Sequence, residues 1–201
     1  MTSIFKNFSK TTKIWLTIAA LSFIFILFTY IEVQQVLRIG ANELPLQIAE
    51  DYAATLANSV PPASIVPNGV IDVAKSLTPF VIIFDDKGTP VASSVQLNGK
   101  TPIPPAGVFE YARAHGKNRL TWEPQPGIRI AAIIIHYTTS QTSGGFVLGG
   151  KSLREIENRD KNAFRLALLA WLGTLLVSFF GVRLLFGKEK PAFPPIPDSH
   201  I

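Results

Sequence analysis

Two stretches of the chain show no alternation of apolar and polar positions at all. Residues 14–31 read IWLTIAALSFIFILFTYI, eighteen positions without a charge between Lys13 and Glu32. As a helix rising about 1.5 Å per residue, the run is roughly 27 Å long, close to the ~30 Å hydrocarbon core of a bilayer. Residues 166–182 read LALLAWLGTLLVSFFGV, and Arg183 is followed by Leu184, Leu185 and Phe186. Arg183 lies near enough to the end of the run for its guanidinium to snorkel toward the interface. Trp15, Tyr30 and Trp171 stand near the ends, where amphipathic rings favour the headgroup level. The pattern predicts transmembrane helices over 14–31 and 166–186. The first run is longer than a secretory signal core of about 7–15 residues. The residues that follow, Glu32-Val33-Gln34-Gln35, carry no small-residue cleavage pattern, so an uncleaved anchor is expected. The second run is too long and too uniformly apolar for the core helix of a small soluble domain.

Between these runs the periodicity changes twice. From Glu32 to about Val60 it is helical: Val33, Val36, Leu37 and Gly40, then Ile48, Tyr52 and Leu56 at steps of four. Pro45 is expected to kink this helix or to start a new one, because it removes an amide donor and crowds the preceding turn. Pro61-Pro62 ends it, and a short helix is expected over 70–77. The texture then becomes that of strands. Residues 80–84, Phe-Val-Ile-Ile-Phe, are an unbroken buried-strand run, and Asp85-Asp86-Lys87-Gly88 has turn chemistry. Residues 91–95 would return antiparallel. A loop with Asn98-Gly99, Pro102, Pro104 and Pro105 leads to a short helix over 106–115, stopped by Gly116. Residues 119–123 form the third strand, 128–138 the longest, and 146–148 the fifth, with a polar Gly/Ser turn over 140–145 between the last two. Ser152-Leu153-Arg154-Glu155 has the spacing of a capping box. A helix from there would run without a break into the second apolar segment. Consecutive antiparallel strands on helical supports make an α+β domain.

This order, framed by two membrane helices that run into the domain, resembles the extracytoplasmic PAS-like (Cache-type) sensor domains of bacterial membrane histidine kinases and chemoreceptors. The resemblance covers residues 32–165. It rests on the hairpin over 80–94, FVIIFDDKGTPVASS, and on residues 145–153, GFVLGGKSL, a strand entering the exit helix. It implies a five-stranded antiparallel sheet in the order 2-1-5-4-3. It also implies a small ligand on one sheet face and motion passed along the helices. Such receptors continue into a kinase, cyclase or methyl-accepting domain, whereas residues 187–201 here are a short Pro-rich tail. Any signal is therefore expected to pass to a separate signalling protein. The expected organisation is a cytoplasmic tail (1–13), a transmembrane helix (14–31), an extracytoplasmic PAS-like domain (32–165), a second transmembrane helix (166–186) and a cytoplasmic tail (187–201).

Charge alters this picture in one respect. The formal net charge of +5 would suit a nucleic-acid binder, but its distribution does not. Lys6, Lys10 and Lys13 precede the first run, and Arg183, Lys188 and Lys190 follow the second, against Glu189 and Asp198 alone. The flanks thus carry +4 of the +5, and the middle is nearly neutral. The positive-inside rule places both termini in the cytoplasm with the middle outside, and the resemblance implies that the membrane is a bacterial inner membrane. No basic patch with interleaved aromatics remains for a nucleic acid. The absence of cysteine excludes disulfides, thiolate metal sites, a Cys nucleophile and thioester lipidation.

Candidate chemistry is sparse. Phe84-Asp85-Asp86-Lys87-Gly88-Thr89 looks like the first motif of haloacid-dehalogenase-type phosphatases. That chemistry needs acids at i and i+2 around a shared Mg²⁺, and Lys87 stands at i+2; a hairpin turn accounts for the same residues. His115, His136 and His200 show no metal-ligand spacing, and no cofactor is expected. On the long strand, Ile128, Ile130, Ala132, Ile134, His136 and Thr138 share one face, and Arg129, Ala131, Ile133, Ile135 and Tyr137 the other. His136 therefore ends an apolar face at the sheet rim or lines a pocket. Arg119 and Arg129 could hold a carboxylate through bidentate pairing, or stand solvated. Trp122 suits the core or a ligand platform. Arg119, Trp122, Arg129, His136 and Tyr137 are the candidate ligand-binding residues. In the second apolar run Ala163, Ala167, Ala170, Thr174, Ser178 and Gly181 recur at steps of three or four, a small-residue stripe suited to helix packing within the chain or in a homodimer. Ala167, Ala170, Thr174 and Ser178 are its centre. Pro191, Pro194 and Pro197 have the spacing of polyproline ligands, or of a disordered tail. No nucleophile–base pair points to an enzyme. The expectation is a membrane-anchored sensor of a small ligand or envelope condition. The alternative is an accessory membrane protein that uses the domain as an interaction surface.

Overall fold

The computed structural model describes residues 9–139 and 144–186. The tail prolines, His200, Lys6, Lys188, Lys190 and most of the polar turn after Thr139 lie outside the described residues. The chain divides into two compact units, one of them Val33–Lys161 and the other carrying both apolar helical segments.

The Val33–Lys161 unit is an α+β domain. Its helices are the second half of α1 (Lys10–Ala57), α2 (Pro62–Ile65), α3 (Gly107–His115) and the start of α4 (Arg154–Phe186). Its strands are β1 (Ile71–Asp72), β2 (Phe80–Asp85), β3 (Pro90–Ser93), β4 (Val95–Gln96), β5 (Lys117–Gln125), β6 (Ile128–Tyr137) and β7 (Gly145–Ser152). Five of them form one antiparallel sheet, β3-β2-β7-β6-β5, with the hairpin β2–β3 at one edge and the last strand in the centre. This differs in detail from the expected sheet. Strands β1 and β4 add a second, two-stranded parallel sheet and shift the strand numbers.

The extra sheet explains two other departures. Residues 70–77 form no helix. Ile71 donates to Ser94 O at 2.9 Å and Val73 to Gln96 O at 3.0 Å. The Asp72 carboxylate accepts from the Ala74 amide at 3.0 Å, closing a turn that competes with helix. The strand over 91–95 breaks at Ser94, where the chain passes from one sheet to the other. Buried Ser94 makes that crossing with Val81. Its amide donates to Val81 O at 3.0 Å, and its hydroxyl accepts from the Val81 amide at 3.0 Å.

Both faces of the five-stranded sheet are covered, so β2, β6 and β7 read as continuous apolar runs rather than alternating ones. On one face Phe80, Ile82, Phe84, Ile130, Ile134, Phe146 and Leu148 pack with Phe109 and Ala112 of α3. Phe109 lies edge-on to Phe84 and Phe146, with centroids 5.0 and 5.2 Å apart. On the other face Val81, Ile83, Ile133 and Val147 pack against Ala49, Ala53 and Leu56 of α1.

Helix α1 runs unbroken through Pro45, so no new helix starts there. At this level the helix is pressed against β7: a Cβ on Gly149 would lie 2.2 Å from the Pro45 carbonyl oxygen. The contact with the sheet holds the helical path that Pro45 alone would weaken. The next residue, Gly150, leaves room on the opposite face for the Phe80 ring, which a Cβ would meet at 2.4 Å. The capping box is displaced. Ser152 ends β7, α4 starts at Arg154, and the Ser152 hydroxyl accepts from the Arg154 amide at 3.4 Å.

In the other unit the apolar segments of α1 and α4 run antiparallel. Trp15 meets Phe179, Phe23 meets Trp171, and Tyr30 meets Phe164, with centroids 5.9, 5.4 and 5.7 Å apart. Successive contacts are two helical turns apart on each helix. The Trp15 indole donates to Leu175 O at 3.2 Å. Both helices are long and apolar enough to cross a membrane. Of the small-residue stripe, Ala167, Thr174 and Ser178 are partly covered and Ala170 is exposed.

Candidate functional site: a groove between the two long helices and the sheet

Residues 34–42 of α1, Leu153 and residues 156–160 of α4 flank strands β5 and β6 across a groove of ≈ 430 Å³. Its floor is apolar: Leu37, Ala41, Ala131, Leu153 and Ile156. Buried Ala41, Ala131 and Leu153 pack together there, so small side chains let the two helices and the sheet converge. The rim is polar and carries both signs of charge. Arg129 Nη1 donates to Glu157 Oε1 at 2.8 Å, joining β6 to α4. Gln34 Nε2 donates to Asp160 Oδ1 at 3.2 Å, joining α1 to α4. Arg38, Asn42 and Thr121 complete the rim, and Asn42 Nδ2 donates to the Arg38 carbonyl at 3.0 Å. Arg38 makes no ion pair among the described residues. The groove thus offers one guanidinium free for an anionic group, a second held by a carboxylate that a ligand could replace, and amide and hydroxyl groups beside them.

One further tie bears on the start of α4. Arg154 Nη1 and Nη2 donate to the carbonyls of Ala74 and Lys75 at 2.8 and 2.7 Å, so the loop after β1 is fastened to the first turn of the helix.

The five candidate ligand residues do not converge. Arg129 lines the groove. Arg119 lies farther along β5 in a second depression with Lys117, Tyr111 and Leu46. Lys117 there reaches Glu50 at 3.8 Å. Trp122 faces the opposite side of the sheet, against the aromatic core, and its indole nitrogen is buried without a hydrogen-bond partner among the described residues. His136 stands on that same face, at the rim. Its ring lies 5.0 Å from Phe146, and its Nε2 is 3.9 Å from Asp86 Oδ1, which also binds Arg113 at 3.1 Å. Tyr137 points to the α1 face and lines a third depression with Leu56, Pro61, Pro62 and Asp85. Burial without a compensating charge raises the Tyr137 phenol above its usual pKa.

Five polar groove residues escape a strand-based reading: Gln34, Arg38, Asn42, Glu157 and Asp160. Their signal is helical. Gln34, Arg38 and Asn42 repeat at i, i+4 and i+8 on α1, and Glu157 and Asp160 at i and i+3 on α4. Taken alone, either stripe reads as an ordinary solvated face. Among the described residues no three His, Asp or Glu side chains are placed to hold a metal. Asp85 is occupied with its own turn, its Oδ1 accepting from the Lys87 and Thr89 amides at 2.9 and 2.8 Å.

The class defined by these observations is an α+β sheet domain whose first and last helices continue into long apolar segments. The sequence matches no protein-family model and no curated protein.

Proposed function

We propose that the protein is a membrane-anchored sensor. In this reading the apolar segments cross a bacterial inner membrane, both termini are cytoplasmic, and the PAS-like domain faces outward. A small solute or envelope condition acts on the domain, and the change passes through α1 and α4 to a separate signalling protein. The observation that carries the proposal is the groove. It is the place where α1, α4 and the sheet meet through breakable polar contacts, Arg129–Glu157 and Gln34–Asp160. A solute carrying an anionic group could engage Arg38 and compete with Glu157 for Arg129. It would alter the tie between the helices by its differential affinity for the two arrangements. The charge distribution of the flanks supports the orientation.

A second reading is favoured by one observation. The sheet face under α3 is filled by Phe80, Phe84, Phe109 and Phe146, leaving the aromatic core there well packed. An accessory protein that uses the domain as an interaction surface would need no cavity on that face.

Thermal unfolding of the full chain in mild detergent separates the two, scanned against amino acids and small carboxylates. A ligand selective for the folded state, at a hundred times its Kd, adds about 2.7 kcal/mol of stability. The sensor reading expects a stabilising compound whose effect is reduced in Arg129→Gln. A panel without any stabilising member supports the accessory reading.

A further inference from the structure

The apolar pair of helices ends in a further concave site, at the end that carries Lys10, Lys13 and Arg183. A cavity of ≈ 360 Å³ lies there between the start of α1 and the end of α4. Phe179 and Val182 supply an apolar floor, Trp15 a flat wall, and Ser9, Thr11 and Thr12 a row of hydroxyls. Arg183 closes the site, with its guanidinium 6.0 Å from the centroid of the Phe179 ring. The Ser9 and Thr12 hydroxyls lie 2.8 Å apart, and each can still donate to or accept from a third group.

Among the described residues the charge around this cavity is of one sign. Among the described residues 9–31 and 162–186 there is no Asp or Glu, and Arg183 makes no ion pair there. Next to hydrocarbon an uncompensated guanidinium is costly, and such residues are found paired or drawn to the interface. A site with an apolar floor, a hydroxyl rim and an unneutralised arginine at one end of a helix pair has the chemistry of a lipid phosphate site.

We propose that this cavity holds the phosphate of an anionic phospholipid headgroup. Arg183 is the charged ligand, Ser9 and Thr12 are hydroxyl donors, and the glycerol and first methylenes rest on Phe179 and Val182. Trp15 is fixed for this role, because its indole N–H is already committed to Leu175 O at 3.2 Å. The occupied site would clamp the start of α1 to the end of α4, at the end of the pair away from Glu32 and Asn162. The proposal rests on the reading that the two helices cross a bilayer.

The test uses the full chain and counts bound lipid by native mass spectrometry in a neutral detergent. Phosphatidylglycerol and phosphatidylcholine are added in turn, and inorganic phosphate is added as competitor. Flotation with phosphatidylcholine vesicles is measured in parallel. The expected result is one phosphatidylglycerol retained per chain, with about tenfold weaker retention in Arg183→Gln. Arg183→Lys should recover part of it, and Arg165→Gln, a cation at the other end of the same segment, should leave it unchanged. Equal loss in Arg165→Gln and Arg183→Gln would reduce the effect to net charge and overturn the site. Displacement by millimolar inorganic phosphate would show a phosphate site that is not a lipid site, and would also overturn it. A chain that floats but shows no dependence on Arg183 overturns this proposal alone. A chain that does not float overturns the membrane reading with it.

Discussion

Replacement of Gly149 by alanine tests how the domain holds its first helix. The added Cβ would lie 2.2 Å from the Pro45 carbonyl oxygen and 3.0 Å from the Ala49 amide nitrogen. Ordinary contact begins near 3.4 Å, so α1 must withdraw from β7 by roughly 1 Å. Both obstructing groups are backbone, and no side-chain rotamer can relieve the clash. A gap of that size forfeits about a quarter to a half of each dispersion contact it opens. The contacts at risk join Ala49, Ala53 and Leu56 to Val81, Ile133 and Val147, all buried. Overpacking of this kind costs about 1–3 kcal/mol, and a backbone obstruction belongs at the upper end. Gly40 is the control. It lies inside the same helix with nothing within 4 Å of its Cβ position, so alanine there should stabilise by about 0.5–1 kcal/mol. Denaturant unfolding of the full chain, followed by Trp122 fluorescence with Trp15 and Trp171 replaced by Phe, reads both effects. A loss below about 0.5 kcal/mol for Gly149→Ala, or an equal loss for Gly40→Ala, would refute the close approach of helix and sheet.

Ser94→Ala should cost about 1–3 kcal/mol in the same unfolding assay, because it strips a buried partner from the Val81 amide at the crossing between the two sheets. Valine in its place, equally unable to hydrogen-bond, should not recover the loss. Tyr137 predicts a pH dependence. Its folded-state pKa is raised by burial, so the folded chain keeps the phenolic proton longer than the unfolded chain. The contribution is fully present below the unfolded phenol's pKa of about 10 and is lost as pH rises through the folded value. Tyr137→Phe should remove that alkaline decline, seen as a flatter unfolding midpoint above pH 10. Arg154→Ala should speed amide exchange over residues 71–76 by several-fold, as their loop loses its tie to α4.

Much of the fold was legible because its signals are local. Eighteen uncharged residues before Glu32, the apolar run over 80–84 and the stop at Gly116 each act within a few positions. The failures came where a distant partner decides. Residues 70–77 have helical spacing, yet Ser94 and Gln96 recruit them as a strand edge. Pro45 is a helix breaker by its own chemistry, yet α1 continues through it where the helix is pressed against Gly149. The groove was least legible. Arg129 could be singled out on its strand, but Glu157, Arg38 and Asp160 acquire meaning only when two helices more than a hundred residues apart meet over it. The candidate residues on β5 and β6 alternate between faces, so neighbours in sequence such as His136 and Tyr137 serve different surroundings.

In the sensor reading, a solute in the groove changes how α1 and α4 stand at the sheet. A pulsed electron-resonance distance between spin labels on Gln35→Cys and Arg159→Cys reads that change, in a chain without native cysteine. Both sites are exposed and lie beside the groove without lining it. The full chain would be measured in detergent with and without the compound that raises its unfolding temperature. The expected result is a shifted distance distribution that Arg129→Gln abolishes. A distribution unmoved at saturating compound would contradict it.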